Sequence, residues 1–176
     1  KPKRLPVVLS RTEVEQILCS TVNEKHKMMI ALAYSSGLRV SEVVALKVQD
    51  LDFEQALLYV RQGKGGKDRI SLLSSNLDLR KFCRRKALND YLFESVRGGK
   101  LTTRTLQKVF KQACARVELN KKASFHSLRH SFATHLIEKG VNLRYVQELL
   151  GHNNIQTTQR YTQVAKCHLK KIESLL

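Results

Sequence analysis

The feature that most constrains the fold is one glycine-rich turn in a chain that otherwise shows helical spacing. The turn, Gly63-Lys-Gly-Gly-Lys67, separates two runs rich in Leu, Val, Ile and Tyr, which are Ala56–Gln62 and Asp68–Leu73. Such runs on either side of a short turn predict two antiparallel strands. A third short strand is predicted near Asp50–Phe53. The sequence therefore predicts a mainly α fold with a small antiparallel β-sheet, an α+β domain.

Helices account for the rest of the prediction, because apolar residues recur at three- and four-residue intervals. Ser10 and Glu13 form a capping-box pattern at the start of the first helix. Gly37 suits the position just after the second helix, and Ser41 is the predicted cap of the short helix that follows. The predicted helices cover residues 11–20, 24–35, 40–46, 77–95, 103–117, 127–139, 143–150, 155–162 and 166–175.

The excess of lysine and arginine limits the kinds of molecule that the chain is expected to bind. The chain has 32 lysines and arginines against 15 aspartates and glutamates, a formal net charge of +17. Such an excess favours a polyanion, because basic side chains that neutralise phosphates release condensed counterions. The charge alone leaves RNA open beside DNA, and a merely solubilising surface is the alternative. No apolar run approaches the roughly 20 residues of a membrane-spanning helix, so we expect no membrane partner.

The four cysteines show neither a disulfide framework nor a zinc-binding pattern. They are Cys19, Cys83, Cys114 and Cys167, and no two of them form a CxxC pair. We expect each to pack as a small apolar residue in a reducing compartment, and hence a cytoplasmic protein.

The segment Ser36–Glu42, with the sequence SGLRVSE, contains the first candidate for phosphate binding. Arg39 follows the predicted helix end, in the turn before the next helix. A guanidinium there can form two parallel hydrogen bonds to phosphate oxygens, which lysine cannot. Taken alone, a surface arginine in a helical turn is the simpler interpretation. We interpret Glu42 as a buried support for an arginine rather than as a catalytic acid.

The strongest local candidate is His126-Ser-Leu-Arg129, at the start of a predicted helix. The spacing of three places His126 and Arg129 on one face, where the helix N-terminus favours an anion. A polar helix cap with an exposed histidine is the alternative. Two other residues of this helix, His130 and His135, are interpreted as structural or surface residues. The apolar residues Phe132, Leu136 and Ile137 are predicted to continue its buried stripe.

Two further candidates follow in the C-terminal part of the chain. Leu149-Leu-Gly-His152 ends a predicted helix, and His152 could donate a hydrogen bond to the same phosphate. Tyr161 stands in the polar segment QTTQRYTQ, which suits an exposed nucleophile better than a core residue. Three other tyrosines lie in apolar patterns and are interpreted as core residues: Tyr34, Tyr59 and Tyr145.

Lys64 and Lys67 lie in the glycine-rich turn, where the missing side chains of the glycines allow close approach to a nucleic-acid backbone. A loop lysine could protonate a leaving 5′ oxygen, and a solvated basic turn is the alternative. The turn lacks the GK[ST] ending of a Walker A loop, and no helix follows it. Nucleotide binding is therefore rejected.

Taken together, GLRxSE, HxLRH, LGH and the later tyrosine resemble the catalytic domain of the tyrosine recombinase (phage integrase) family, in particular its Xer-type members. The match spans about Arg11 to Val164. The resemblance implies the fold of that catalytic domain. In the family, two arginines and a histidine bind the scissile phosphate, and these positions are matched by Arg39, Arg129 and His126.

The same resemblance supplies the other roles. His152 matches a further histidine or tryptophan of the family site, and Tyr161 matches the nucleophile. The general acid is a lysine of the β-hairpin, matched best by Lys64, with Lys67 as the second candidate. The six implied catalytic residues are Arg39, Lys64, His126, Arg129, His152 and Tyr161.

The implied reaction is strand cleavage and rejoining through a 3′-phosphotyrosyl intermediate, with no metal and no cofactor. The implied partner is double-stranded DNA, bound by a homotetramer on paired sites, while the free protein is expected to be a monomer. Two alternatives share the fold: DNA relaxation by a type IB topoisomerase, and a non-catalytic DNA-binding regulator.

The resemblance also predicts how the chain is divided. Residues 1–9 are expected to be a linker from a missing N-terminal core-binding domain, and residues 10–176 the catalytic domain. Within the latter, residues 163–176 are expected to form a C-terminal tail that docks on a neighbouring subunit.

Overall fold

The structure is a computed structural model that describes residues 6–61 and 68–151. In these ranges the helices are α1 (Arg11–Ser20), α2 (Glu24–Ser35), α3 (Val40–Val43), a 3-10 turn (Val48–Asp50), α4 (Arg80–Cys83), α5 (Thr103–Arg116), α6 (Phe125–Glu138) and α7 (Leu143–Leu150). The strands are β1 (Leu51–Asp52), β2 (Leu57–Val60) and β3 (Arg69–Leu72), in the antiparallel order β1-β2-β3. The predicted mainly α fold with a small antiparallel sheet is confirmed. In the described ranges, no helix is both long enough and apolar enough to cross a bilayer.

The sequence signals at the first two helices act as predicted. The Ser10 backbone N–H donates to Glu13 Oε2 at 2.7 Å, and the Glu13 N–H donates to Ser10 Oγ at 3.1 Å, which is the reciprocal capping box. Helix α2 ends at Gly37, whose φ of +60° is left-handed, and the Leu38 N–H donates to the Ala33 carbonyl at 3.0 Å. A Cβ at Gly37 would lie 2.5 Å from the Phe132 ring, so only glycine fits this close approach.

The core brings the ends of several elements to one place. Helix α2 is buried from Met29 to Ser35 and packs against α1, α5 and α6. A second, smaller cluster joins β3, α6 and α7, and its buried members are Leu72, Phe132, Leu136, Val146, Leu149 and Leu150. The C-terminal end of α2, the start of β3, the first turns of α6 and the end of α7 therefore surround one point.

The segment before α1 is tied to α6. Leu9 is completely buried, and its backbone N–H donates to Ser131 Oγ at 2.8 Å. The Ser131 hydroxyl in turn donates to the Ser127 carbonyl at 2.7 Å. Lys121 Nζ lies 3.1 Å from the Val8 carbonyl, so a second contact holds the same segment.

The helix predicted over residues 77–95 is wrong, because only Arg80–Cys83 is helical. The backbone after it pairs with the chain near α3 instead. The Leu92 N–H donates to the Leu46 carbonyl at 2.8 Å, and the Val48 N–H donates to the Asp90 carbonyl at 3.1 Å. Pairing with a distant segment outweighs the local helical preference here.

Three smaller predictions also fail. Ser41 is not the cap of α3, because the helix starts after Arg39 and the Glu42 carboxylate accepts the Arg39 N–H. Ile137 is 46% exposed rather than buried, because the buried face of α6 passes through Phe132 and Leu136 and leaves Ile137 at its edge. Cys19 is exposed rather than packed in the core, and Cys167 lies outside the described residues.

Candidate functional site

Glu42 is the centre of a cluster of arginines. Its carboxylate is 7% exposed and accepts four hydrogen bonds of 2.7–2.8 Å. Two come from Arg39, through its backbone N–H and Nη1, and two come from Arg69, through Nη1 and Nη2. Every lone-pair site of this carboxylate is therefore occupied by an arginine donor. The prediction that Glu42 supports an arginine is confirmed.

Arg39 is held by Glu42 at both its backbone and its side chain. It is the residue just before α3, and its backbone is extended, with φ −75° and ψ 155°. Its Nη1 lies 2.8 Å from Glu42 Oε1, while the side chain remains 22% exposed. Glu42 therefore orients the Arg39 guanidinium, and the part of the side chain that remains open to solvent can contact a ligand.

Arg129 enters the same cluster from α6 and is only 2% exposed. Its Nη1 donates to the Gly37 carbonyl at 2.7 Å, and its Nη2 donates to the Leu150 carbonyl. Nη1 also lies 3.9 Å from Glu42 Oε2. These two hydrogen bonds use two of the five N–H groups of a guanidinium.

The cluster carries more positive than negative charge. Burial, followed by the charges of Arg39 and Arg69, lowers the pKa of Arg129 to about 9, so the group stays charged at neutral pH. Burial raises the pKa of Glu42, but hydrogen bonds and charge from Arg69, followed by hydrogen bonds from Arg39, leave that pKa below its usual value. Three cations share one carboxylate, which leaves an attraction for a further anion.

Sequence reasoning missed Arg69, which is 7% exposed at the start of β3. The period-two pattern of a strand places it on the same face as Ser71, whose hydroxyl donates to the Ser36 carbonyl at 2.6 Å. That alternation was the available signal, but nothing in the sequence identifies Glu42 as the partner of Arg69. The contact depends on how the sheet packs against α3.

His126 is exposed in the first turn of α6, one turn before Arg129. Its ring meets that of His130 edge-on, with centroids 4.6 Å apart. Burial and the charge of Arg129 lower the pKa of His130, which favours its neutral form. Of the predicted site residues, Arg39 and Arg129 therefore meet at Glu42, and His126 lies one turn before Arg129 on α6.

The other three predicted site residues, Lys64, His152 and Tyr161, lie outside the described residues. The described chain ends beside the arginine cluster, at Gly151. This residue has a φ of +66°, and a Cβ on it would lie 2.9 Å from Arg69 Cδ. His152 is its neighbour in sequence.

The described site is built for an anion rather than for a cation. Its charged groups are three guanidiniums around one carboxylate, and guanidiniums are the side chains that best match the oxygens of a phosphate. Within residues 6–61 and 68–151, no group of three or more His, Cys, Asp or Glu side chains is placed to hold a metal ion.

Comparison with known proteins gives consistent results. The model of the phage integrase family matches residues 8–168. Tyrosine recombinase XerA of Pyrococcus horikoshii is 43% identical over 97% of this chain and 61% of that relative. Tyrosine recombinase XerD of Ralstonia nicotianae is 38% identical over 99% of this chain and 61% of that relative. The chain thus spans about three-fifths of the length of these curated relatives.

Solved structures show the same likeness. A crystal structure of XerA recombinase has a TM-score of 0.76 and 30% identity, covering 97% of this chain and 65% of that one. The site-specific recombinase XerH, bound to its difH substrate before cleavage, has a TM-score of 0.73 and 28% identity, covering 93% of this chain and 54% of that one.

Proposed function

The chain belongs to the phage integrase family of tyrosine recombinases, and we propose that it is the part of a site-specific DNA recombinase that breaks and rejoins the strands. The observation that carries the proposal is the meeting of Arg39 and Arg129 at one carboxylate. Arg39 Nη1 lies 2.8 Å from Glu42 Oε1, and Arg129 Nη1 lies 3.9 Å from Glu42 Oε2. These are the two arginines that the sequence motifs assign to the scissile phosphate.

In the proposed reaction, Tyr161 attacks the phosphorus of the scissile phosphate. The bond between phosphorus and the 5′ oxygen breaks, which leaves a 3′-phosphotyrosyl link and a free 5′-hydroxyl. The 5′-hydroxyl of a second strand then attacks the link and releases the tyrosine. Covalent catalysis divides one difficult step into two, and one phosphodiester replaces another, so the exchange needs no external energy source.

The other residues act on the charge and the protons of this exchange. Arg39 and Arg129 stabilise the negative charge that develops on the non-bridging oxygens, and His126 and His152 donate hydrogen bonds to the phosphate. Lys64 gives a proton to the leaving 5′ oxygen. No step calls for a metal ion or a cofactor.

Replacement of the nucleophile tests the proposal. The Tyr161→Phe variant should bind DNA with nearly unchanged affinity and form no covalent adduct on a nicked suicide substrate, as judged by denaturing electrophoresis. The unchanged chain should form the adduct. An adduct formed by the Phe variant would show that another residue is the nucleophile.

The general acid is tested with DNA whose leaving 5′ oxygen is replaced by sulfur, because a thiolate leaves without a proton. Cleavage of this substrate should be restored in Lys64→Ala but not in Tyr161→Phe. If restoration is seen in Lys67→Ala and not in Lys64→Ala, the proton comes from the other lysine of the loop.

The assembly is part of the same proposal. We infer that the chain is monomeric when free and forms a homotetramer on paired DNA sites, with residues 163–176 docked on a neighbouring subunit and residues 1–9 acting as a linker to a core-binding domain. Light scattering with and without paired-site DNA should show the change in mass. Removal of residues 163–176 should abolish the tetramer and leave binding of a single site.

The two alternatives on this fold are not favoured by the relatives, which are named as recombinases and integrases. A non-catalytic regulator would form no covalent adduct. A type IB topoisomerase would form the adduct and relax supercoiled DNA without exchanging strands between duplexes.

A further inference from the structure

Arg69 is a buried cation to which the proposed reaction gives no role. Its side chain is 4% exposed. Nη1 and Nη2 donate to the two oxygens of Glu42, each at 2.7 Å, and Nε donates to the Leu149 carbonyl at 2.8 Å. One planar group therefore ties three separate segments together: β3, α3 and the last turn of α7.

The contacts of Arg69 extend to both phosphate-binding arginines. Glu42, which Arg69 grips at both oxygens, also holds the backbone and the side chain of Arg39. At the end of α7, Arg69 donates a hydrogen bond to the Leu149 carbonyl, and Arg129 donates one to the next carbonyl, that of Leu150. The two buried arginines thus bind adjacent carbonyls of one helix end, where such groups lack partners within the helix.

The charge of Arg69 also matters for what the site can bind. Arg69 forms a two-bond ion pair with Glu42, so these two charges largely cancel. Arg39 therefore keeps much of its charge for a ligand, even though it also touches Glu42. Without Arg69, the carboxylate would keep only Arg39 at 2.8 Å and the more distant Arg129 at 3.9 Å, and it would draw the Arg39 guanidinium away from the phosphate.

We propose that Arg69 is a positioning residue for the phosphate-binding arginines, because it fixes Glu42 and the end of α7 so that Arg39 is held in one orientation beside Arg129. The expected effect of Arg69 on DNA cleavage rests on the function proposed above. Its expected effect on the orientation of Arg39 does not depend on that function.

The first test is made on the DNA-free chain with Arg69→Lys. Lysine keeps the charge but has a single nitrogen, whereas Arg69 reaches the two Glu42 oxygens and the Leu149 carbonyl through three separate nitrogens of one planar group. Amide hydrogen exchange at Arg39 should become faster by roughly 10-fold, which corresponds to about one net hydrogen bond. Unchanged hydrogen exchange at the Arg39 amide would overturn the proposal, independently of any result on DNA cleavage.

A matched control lies at the same end of the hairpin. Arg61 follows β2 and pairs with Asp50 through Nε at 2.8 Å, so its carboxylate partner is Asp50 rather than Glu42, and its side chain is 55% exposed. Arg61→Lys should leave Arg39 amide exchange and DNA cleavage unchanged. An equal effect of Arg61→Lys and Arg69→Lys would show a general disturbance of the hairpin and would count against the proposal.

The second test measures single-turnover cleavage of a suicide substrate at saturating protein. Arg69→Lys should lower the rate by roughly 10- to 100-fold, as expected for a small misplacement of a catalytic group, and should leave DNA affinity nearly unchanged. In an Arg39→Lys background, the same substitution should cost much less, because the group that it positions is already impaired. Additive losses would mean that Arg69 acts independently of Arg39.

A paired substitution keeps the test valid if Arg69→Lys does not fold. Arg69→Met with Glu42→Met removes both charges of the buried pair together, a change that proteins often tolerate. The folded double variant should cleave as slowly as Arg69→Lys, because nothing then orients Arg39. Cleavage near the wild-type rate would show that Arg69 only balances the charge of Glu42 and would overturn the proposal. Absence of any adduct with the unchanged chain would instead refute the proposed function.

Discussion

Two buried ionisable side chains of helix α6, Arg129 and His135, are accommodated in the interior in opposite ways. Arg129 is charged and lies in a cluster in which three guanidinium groups share the carboxylate of Glu42. His135, further along the helix, is 4% exposed, and its Nδ1 lies 2.8 Å from the hydroxyl of Tyr34. Burial lowers the pKa of His135 and raises that of Tyr34 to about 12, so both groups of this second pair are neutral.

The difference between the two regions separates function from stability. The Tyr34–His135 pair satisfies its own hydrogen bond and retains no charge, which is what a stable interior favours. The arginine cluster retains an excess of positive charge, although burying charge costs free energy. An excess that does not serve stability indicates a site that awaits an anion.

The largest expected effect is on stability, at the centre of the charged region. Glu42→Ala leaves three buried or partly buried arginines without their carboxylate, and should lower the free energy of unfolding by about 3–5 kcal/mol. Urea unfolding followed by circular dichroism measures the loss. If Glu42→Ala lowers the free energy of unfolding no more than Tyr34→Phe does, the charged and neutral regions do not differ in the way described.

Next comes an effect on chemistry rather than on folding. Arg129→Lys should lower the cleavage rate by roughly 10²–10³-fold, as for loss of a donor to a developing charge, because lysine lacks the planar fork that meets two oxygens. Suicide-substrate cleavage measures this rate, and DNA affinity should change little. Near wild-type cleavage would place Arg129 in a purely structural role, like His135.

A smaller effect is expected in the neutral region. Tyr34→Phe removes the hydroxyl that meets His135 and should lower the free energy of unfolding by about 1 kcal/mol. The cleavage rate should stay unchanged in the folded variant, since Tyr34 makes no contact with the arginine cluster in the described structure. A loss of cleavage comparable to that of Arg129→Lys would show that the two faces of α6 are coupled.

The two regions should also respond to acid in different pH windows. The pKa of His135 is lowered mainly by burial, with Glu138 opposing and Arg11 adding to the shift. A histidine with a lowered pKa stabilises the fold fully above its ordinary value near 6.5, and this contribution is lost as pH falls below it. Because the pKa of Glu42 is lowered, its contribution to stability is lost only as pH falls below the ordinary glutamate value of 4.5.

Stability measured by urea unfolding from pH 7 downwards should therefore fall in two stages. His135→Gln should reduce the fall that begins below about pH 6.5 without removing it, because burial also lowers the pKa values of His26 and His130. The fall below about pH 4.5 should remain. An unchanged first stage in His135→Gln would show that the pKa of His135 does not differ between the folded and unfolded states.

The sequence predicted the parts of this molecule that depend on local chemistry. The capping box at Ser10, the left-handed Gly37 and the antiparallel pairing of β2 with β3 follow from short-range signals. The motifs pointed to Arg39 and Arg129, which lie at one carboxylate in the structure. The segment 77–95 was mispredicted because its backbone pairs with Leu46 and Val48, which are far away in sequence. Arg69 was missed for the same reason, since its importance comes from contacts with Glu42 and Leu149.

The anchoring of Leu9 has a mechanical consequence. Its buried side chain and its 2.8 Å hydrogen bond to Ser131 fix the chain to the middle of α6, between the turn that carries Arg129 and the turn that carries His135. Any polypeptide joined upstream would therefore be attached to the domain at Leu9, and a pull on it would act first on the middle of α6 rather than on an end of the helix. Leu9→Ala should weaken this attachment, so that motion of any polypeptide joined upstream is transmitted less strongly to α6.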